Sequence, residues 1–302
     1  MPFHLPFGNR SIQIDPLPEI SVSRCEDTFA RFLRPLAPGA AGQPLLHVRH
    51  TYSDTDALIA RLEQPFYDDA PWRIYHQQGS CYYINNNFDY HPRSVLGIME
   101  RRSDGHELIW HVHPDNRVYY RDRFRLRGIT GLGYDQVFLV SLLPSIRAFL
   151  LHSSGCILDG KGLAFVGASG AGKSTTAQML SHELAILSDD RNLVRFEGGQ
   201  PMLEATWIHG SFGDIHPGSA PLHRVYFLEK SDTFFIRPVE AIMDRLQLLF
   251  PRVVRGLVPA GWWDRTLDLV TKLIHMPLFF RLGFSPHDSM VERLREHVAG
   301  VD

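Results

Sequence analysis

The stretch Gly167-Ala168-Ser169-Gly170-Ala171-Gly172-Lys173-Ser174 matches GxxxxGK[ST], the phosphate-loop (P-loop, Walker A) pattern, at every fixed position. Glycines let a backbone bend around phosphate oxygens and aim its amides at them. A lysine at position 173 reaches the β and γ phosphates, and the hydroxyl of Ser174 helps hold Mg²⁺. Thr175 follows at the start of a helix, whose N-terminus adds favourable partial charge. The competing reading is a glycine-rich turn ahead of an ordinary helix. The apolar GLAFV before the loop and TTAQMLSHE after it supply the strand and helix that a phosphate cradle requires.

A second chemistry-bearing element is AILSDDRN, a short apolar strand ending in Asp189-Asp190. In α/β folds, strand ends face the ligand crevice, so a carboxylate there can hold a metal near the phosphates. Two adjacent acids suggest divided labour: one positions Mg²⁺ while the other accepts a proton from an attacking hydroxyl or water. The alternative is a polar turn in which an aspartate caps the next element.

With both elements in place, the C-terminal half resembles the catalytic domain of the HPr kinase/phosphorylase family and its HPr-kinase-like relatives. The resemblance rests on HSSGCILDGKGLAFVGASGAGKSTT followed by LAILSDDRNLV, about residues 150–194. It implies ATP and Mg²⁺ as cofactors. His152 corresponds to the family's active-site histidine, Lys173 and Ser174 to its phosphate and Mg²⁺ contacts, Asp189 to its general base oriented by His152, and Asp190 to a second acid near the metal. Glu204 in MLEAT corresponds to a further metal ligand, although the Arg-Gly pair expected after it is absent. Phosphorylation therefore carries over from the family and dephosphorylation does not. WIHGSFGDIHPGSAPLHRVYFLEK resembles the diverged relatives, which makes His209, Ser211 and Arg224 candidates for an acceptor pocket.

The expected activity is transfer of the γ-phosphoryl group to a hydroxyl, a serine by the resemblance, on a peptide, small protein or small metabolite. Homo-oligomers occur in the family. Two other readings compete: a nucleotide-binding regulator with slow ATPase activity, and a phosphoenolpyruvate-carboxykinase-like enzyme. The latter needs an oxaloacetate pocket with further Arg, Lys and His ligands, and no clear set is present.

The elements that must position these residues point to an α/β (α+β) fold in two domains, a β-rich one over 1–130 and a P-loop catalytic one over 131–302. CEDTFARFLRPL puts Phe29, Phe32, Leu33 and Leu36 at helical spacing ahead of a stop at Pro38-Gly39. WRIYHQQGSCYYINN predicts a hairpin at QQGS, and ELIWHVHPDNRVYYRD predicts a second at PDN. The stretch from Tyr134 predicts a buried helix, bent or broken at Pro144, that feeds a turn at Ser153-Ser154-Gly155. The DGKG turn at Asp159 predicts a tight hairpin. Helices are expected from Glu240, Arg265 and Ser289, the last with a Ser-x-x-Glu capping box.

Composition excludes several classes. Hydrophobic residues make up 44% and charged residues 21% of 302, an ordinary globular balance. The formal charge of −2 gives no bulk pull toward nucleic acid or membrane. The three cysteines lie far apart, which argues against a disulfide framework. MPFHLPFGNR lacks the basic and apolar regions of a secretory signal, so a cytoplasmic protein is expected. VFLVSLLPSI is too short for a membrane span. His209, His216 and His223 recur every seven residues, and His111 and His113 flank Val112. No acid or cysteine completes either set at a recognised spacing, so hydrogen-bonding histidines are expected and not a metal site. Trp262-Trp263 reads as a hydrophobic anchor.

Overall fold

The computed structural model describes residues 2–35, 44–69, 71–85, 97–131, 133–256, 261–285 and 289–300. The chain is mixed α/β and divides into two compact units, Met1–Asp135 and Gln136–Asp302.

The first unit holds strands β1 (Phe3–Phe7), β2 (Arg10–Asp15), β3 (Arg34–Pro35), β4 (Leu46–Tyr52), β5 (Tyr67–Asp69), β6 (Trp72–Gln77), β7 (Ser80–Asn85), β8 (Ile98–Arg101) and β9 (Glu107–Val112). They form one sheet in the order β3-β1-β2-β4-β9-β8-β7-β6-β5. Helices α1 (Asp27–Phe32), α2 (Thr55–Ala60) and α3 (Arg117–Asp122) accompany it. Phe29 and Phe32 of α1 are buried as their spacing predicts, while Leu36 and Pro38-Gly39 lie outside the described residues. The QQGS hairpin forms between β6 and β7 with Gln78 and Gly79 at positive φ, the geometry that favours a two-residue turn.

The second predicted hairpin does not form. Pro114 starts a 3-10 turn over Pro114–Asn116, His113 Nδ1 accepts the Asp115 amide at 3.2 Å, and RVYYRD becomes α3 with Tyr120 fully buried. Proline has the φ of a first helical position and no amide to donate across a ladder, so helix wins over strand here. β9 pairs instead with β8, antiparallel, and with β4, parallel.

The second unit begins with the end of α4 (Asp135–Leu139) and continues through β10 (Ala148–Leu158), β11 (Lys161–Val166), α5 (Lys173–Leu180), β12 (Ile186–Ser188), β13 (Arg191–Glu197), β14 (Gln200–Glu204), β15 (Ser219–Lys230), β16 (Phe235–Pro238), α6 (Ile242–Leu249), α7 (Trp262–Ile274), β17 (Phe279–Phe284) and α8 (Met290–Ala299). The helix expected before the loop is broken around Pro144 into α4 and a 3-10 turn over Leu143–Ile146, and its second half, with the turn expected at Ser153-Ser154-Gly155, is the strand β10 instead. Pro144 interrupts the helical ladder, and Arg147 turns the chain in the left-handed region at φ 56°. AFLLHSS then gains ladder partners as a strand, which a helix would forgo.

The strand pairings close on themselves, because β10 pairs with β11 and β13, β13 with β14, and β15 with both β14 and β11. Asp159 and Gly160 at φ 49° and 76° make the tight β10–β11 turn. β11 and β15 are parallel, and β11 runs straight into the loop before α5. Alternation along β11 places Ala164 and Val166 in the core with Leu269, Val270 and Leu273 of α7, and Phe165 on the other face, stacked 5.4 Å from Tyr226. Tyr226 Oη lies 3.0 Å from Nδ1 of His297 on α8. Trp262 anchors α7 through its fully buried ring, with Nε1 donating to Val140 O at 2.7 Å. Ser289 precedes α8 but makes no side-chain cap, so the capping box is not formed. No helix among the described residues is long and apolar enough to cross a membrane.

Asn192 of β13 is fully buried and its Nδ2 donates to Ser153 O at 2.8 Å and Ser153 Oγ at 3.1 Å. A Cβ at Gly155 would stand 2.7 Å from Asn192 Oδ1. Gly155→Ala is therefore expected to lower stability by about 1–3 kcal/mol in urea unfolding; an unchanged midpoint would show that this close approach does not constrain the sheet.

Candidate functional site

The loop between β11 and α5 is shaped by its small residues. A Cβ at Gly167 would stand 2.6 Å from that of Ala171, and Gly170 and Gly172 adopt φ 74° and 105°, a region other residues avoid. Ala171 N donates to Ala168 O at 3.1 Å and closes the curl. Lys173, buried at the first turn of α5, donates from Nζ to the carbonyls of Gly167 and Ala168, both at 3.1 Å. Burial holds this ammonium below its ordinary pKa. The charges of Arg252 and Arg191 add to that effect, while Asp190 and Asp189 oppose it.

The two aspartates occupy a seam. β12 pairs with the C-terminal half of β10 and β13 with its N-terminal half, so Asp189 and Asp190 fall where β10 changes partner. Ser188 Oγ fixes the turn, accepting from the amides of Asp190 at 3.1 Å and Arg191 at 3.0 Å and donating to Ile208 O at 2.9 Å. Asp189 points into the segment 208–212. It accepts from Gly210 N at 2.6 Å, Phe212 N at 2.9 Å and Ser174 Oγ at 3.2 Å, and is only 2% exposed. Asp190 turns the other way: its Oδ1 accepts from His152 Nε2 at 3.0 Å and Arg191 Nη1 at 2.6 Å.

His152 thus pairs with Asp190 and not with Asp189, and Ser174 pairs with Asp189. The residues His152, Ser169, Gly170, Gly172, Lys173, Ser174, Thr175, Asp189 and Asp190 meet around one pocket of about 310 Å³, together with Gly210. Ser211 reaches the rim, donating to Ser174 Oγ at 3.2 Å, while His209 Nδ1 bonds Gly210 O at 3.0 Å. Glu204 is not among the lining residues; its Oε1 accepts from Arg195 Nε at 2.6 Å within the sheet. Arg224 also stands apart from the lining, buried on β15 with its guanidinium 5.5 Å from the Phe280 ring centre. Sequence reasoning missed Arg191 and the Gly210 and Phe212 amides. The only trace of the latter is a glycine, whose Cβ would stand 3.0 Å from Asp189 Oδ2.

In the first unit, His111 Nε2 bonds Glu100 Oε2 and its Nδ1 bonds Ser53 Oγ, each at 2.9 Å. Folding also brings Asp54 and Asp56 beside His113, acids that sequence spacing did not reveal. Asp54 already caps α2 through the Ala57 amide at 2.9 Å.

The chain matches no protein-family model and no curated protein. Among solved structures it is similar to the HPr(Ser) kinase/phosphatase from Coxiella burnetii, with 12% identity and a TM-score of 0.30, over 50% of this chain and 97% of that one.

Two predictions follow from the polar pairs. Burial works to raise the Asp190 pKa, but the hydrogen bond from His152 and the charges of Arg191, His152 and Lys173 outweigh it and hold the carboxyl below its ordinary value. A depressed folded-state pKa contributes stability above the unfolded carboxylate value, about 3.9, and loses it as pH falls through the lower folded value. His152→Asn should move the Asp190 midpoint upward in a carboxyl-carbon NMR titration; an unmoved midpoint would refute the pairing. Glu204→Gln should cost about 3 kcal/mol by leaving a buried guanidinium undercompensated, with nucleotide affinity unchanged. Loss of Mg²⁺-dependent nucleotide binding without loss of stability would instead make Glu204 a metal ligand.

Proposed function

We propose that the second unit is a P-loop kinase domain that transfers the γ-phosphoryl group of ATP to a hydroxyl of a peptide, small protein or small metabolite. The observation that carries this reading is the meeting, around one pocket, of a lysine-bearing glycine loop, a Ser174–Asp189 pair and a His152–Asp190 pair. The loop fits phosphate because its glycines leave room for close backbone approach, and because Lys173 holds only carbonyls that phosphate oxygens would replace. Ser174 Oγ and Asp189 Oδ2 form a hard-oxygen pair suited to a divalent cation. They are the residues that would hold Mg²⁺, whose charge neutralises that on the phosphate oxygens.

The chain's own contribution is positioning and charge. Lys173 and the loop amides hold the β and γ phosphates. The acceptor hydroxyl lies against Asp190, which takes its proton as the acceptor oxygen bonds to the γ phosphorus and the bond to the β–γ bridging oxygen breaks. A carboxylate held below its ordinary pKa is a weak base. The loose transition state of phosphoryl transfer asks little proton abstraction of it, so it orients the hydroxyl more than it ionises it. His152 and Arg191 fix that carboxylate in place. Asp189, surrounded by three donors, is the metal-side acid in this scheme, the reverse of the division of roles that the family resemblance implies.

The test is transfer of label from γ-labelled ATP into a library of serine-containing peptides. Lys173→Ala and Asp190→Asn should each reduce transfer by about 100-fold or more. Undiminished transfer in both would remove the assignment, and ADP release that never depends on added peptide would favour a regulator.

A further inference from the structure

Beside His152, though not itself among the residues that line the pocket, the chain carries an arginine that the scheme above leaves unused. Arg252 closes a 3-10 turn over Phe250–Arg252, and the next residue, Val253, forms an antiparallel bridge with Leu151 of β10. Val254 N donates to Leu150 O at 2.8 Å, which fixes the register. Arg252, the last residue of the 3-10 turn, precedes the bridge on one strand as His152 follows it on the other, so the two residues are neighbours across it. On its other side, His152 is opposite Arg191 in the β10–β13 ladder. His152 therefore lies between two arginines.

Their situations differ. Arg191 is committed to Asp190 through Nη1, to both its carboxylate and its carbonyl. Arg252 is half-buried and has no hydrogen bond or ion pair with any described residue. A guanidinium withdrawn from water without an anion is unfavourable, and its planar fork matches two phosphate oxygens.

The cradle at the start of α5 meets the β and γ phosphates from one side. On the other side, the terminal phosphate would face His152 and Asp190, next to which the segment carrying Arg252 bridges β10. Resting on the phosphoryl-transfer reading, we propose that Arg252 is a phosphate-holding residue that grips the γ-phosphoryl group and thereby distinguishes nucleoside triphosphate from diphosphate.

The experiment is calorimetric titration of the full chain with Mg·ATP and Mg·ADP. Arg252→Gln should weaken ATP binding about tenfold or more and ADP binding less than twofold, and Arg252→Lys should show a smaller loss of the same selectivity. Equal weakening of both nucleotides, or no weakening of ATP, overturns the proposal. Should the glutamine variant fail to fold by circular dichroism, the lysine variant decides, and an unchanged ATP-to-ADP ratio there overturns it. A wild-type protein that binds neither nucleotide defeats the phosphoryl-transfer reading itself, whereas ATP binding that is lost in Lys173→Ala but survives Arg252→Gln defeats this proposal alone.

Discussion

The site depends on a change of partners along β10. From Ala148 to His152 this strand is hydrogen-bonded to β13, and from Gly155 onward to β12, with β11 along its C-terminal half. A regular ladder would place the side chains of consecutive residues on opposite faces. The discontinuity between β12 and β13 instead leaves Asp189 and Asp190 in a turn, stapled by Ser188, where the two carboxylates separate and each finds its own donors. The buried Asn192–Ser153 bonds and the missing side chain of Gly155 hold the seam closed behind them.

Environment then makes two identical side chains different. Asp189 is enclosed by backbone amides and a hydroxyl, donors that stabilise its charge without carrying one. Asp190 faces ionic partners, Arg191 and Lys173, and a histidine. Pairs of carboxylates placed in contrasting surroundings are a common way to divide metal holding from proton handling. In the proposed reaction that contrast assigns the two aspartates their roles. The same seam sets His152 between Arg191 and the segment carrying Arg252, so one strand irregularity organises acid, histidine and cation together.

Much of this was legible locally. The glycine spacing, the DGKG turn with its two positive φ values, and the apolar β11 ahead of α5 are properties of adjacent residues, and the chain adopts them. The failures are also instructive. Residues 107–122 carry strand-forming aromatics on both sides of PDN, but α3 and the residues after it bring Tyr120 and Phe124 against Trp110, and that packing overrode the local pattern. Residues 148–151 read as the continuation of a helix because they are apolar without alternation. A strand covered on both faces has no alternation to reveal it.

Sequence alone determined the glycine loop, the DGKG turn and the strand-loop-helix order around them, since loop conformation and residue type act over a few positions. Tertiary structure decided which aspartate meets His152, which meets Ser174, and that Glu204 meets Arg195. Those choices are made by partners 9 to 38 residues away, brought together by sheet register and by the segment 208–212. Register is set by the burial of whole strands, a sum over many side chains, and no short stretch of sequence contains it.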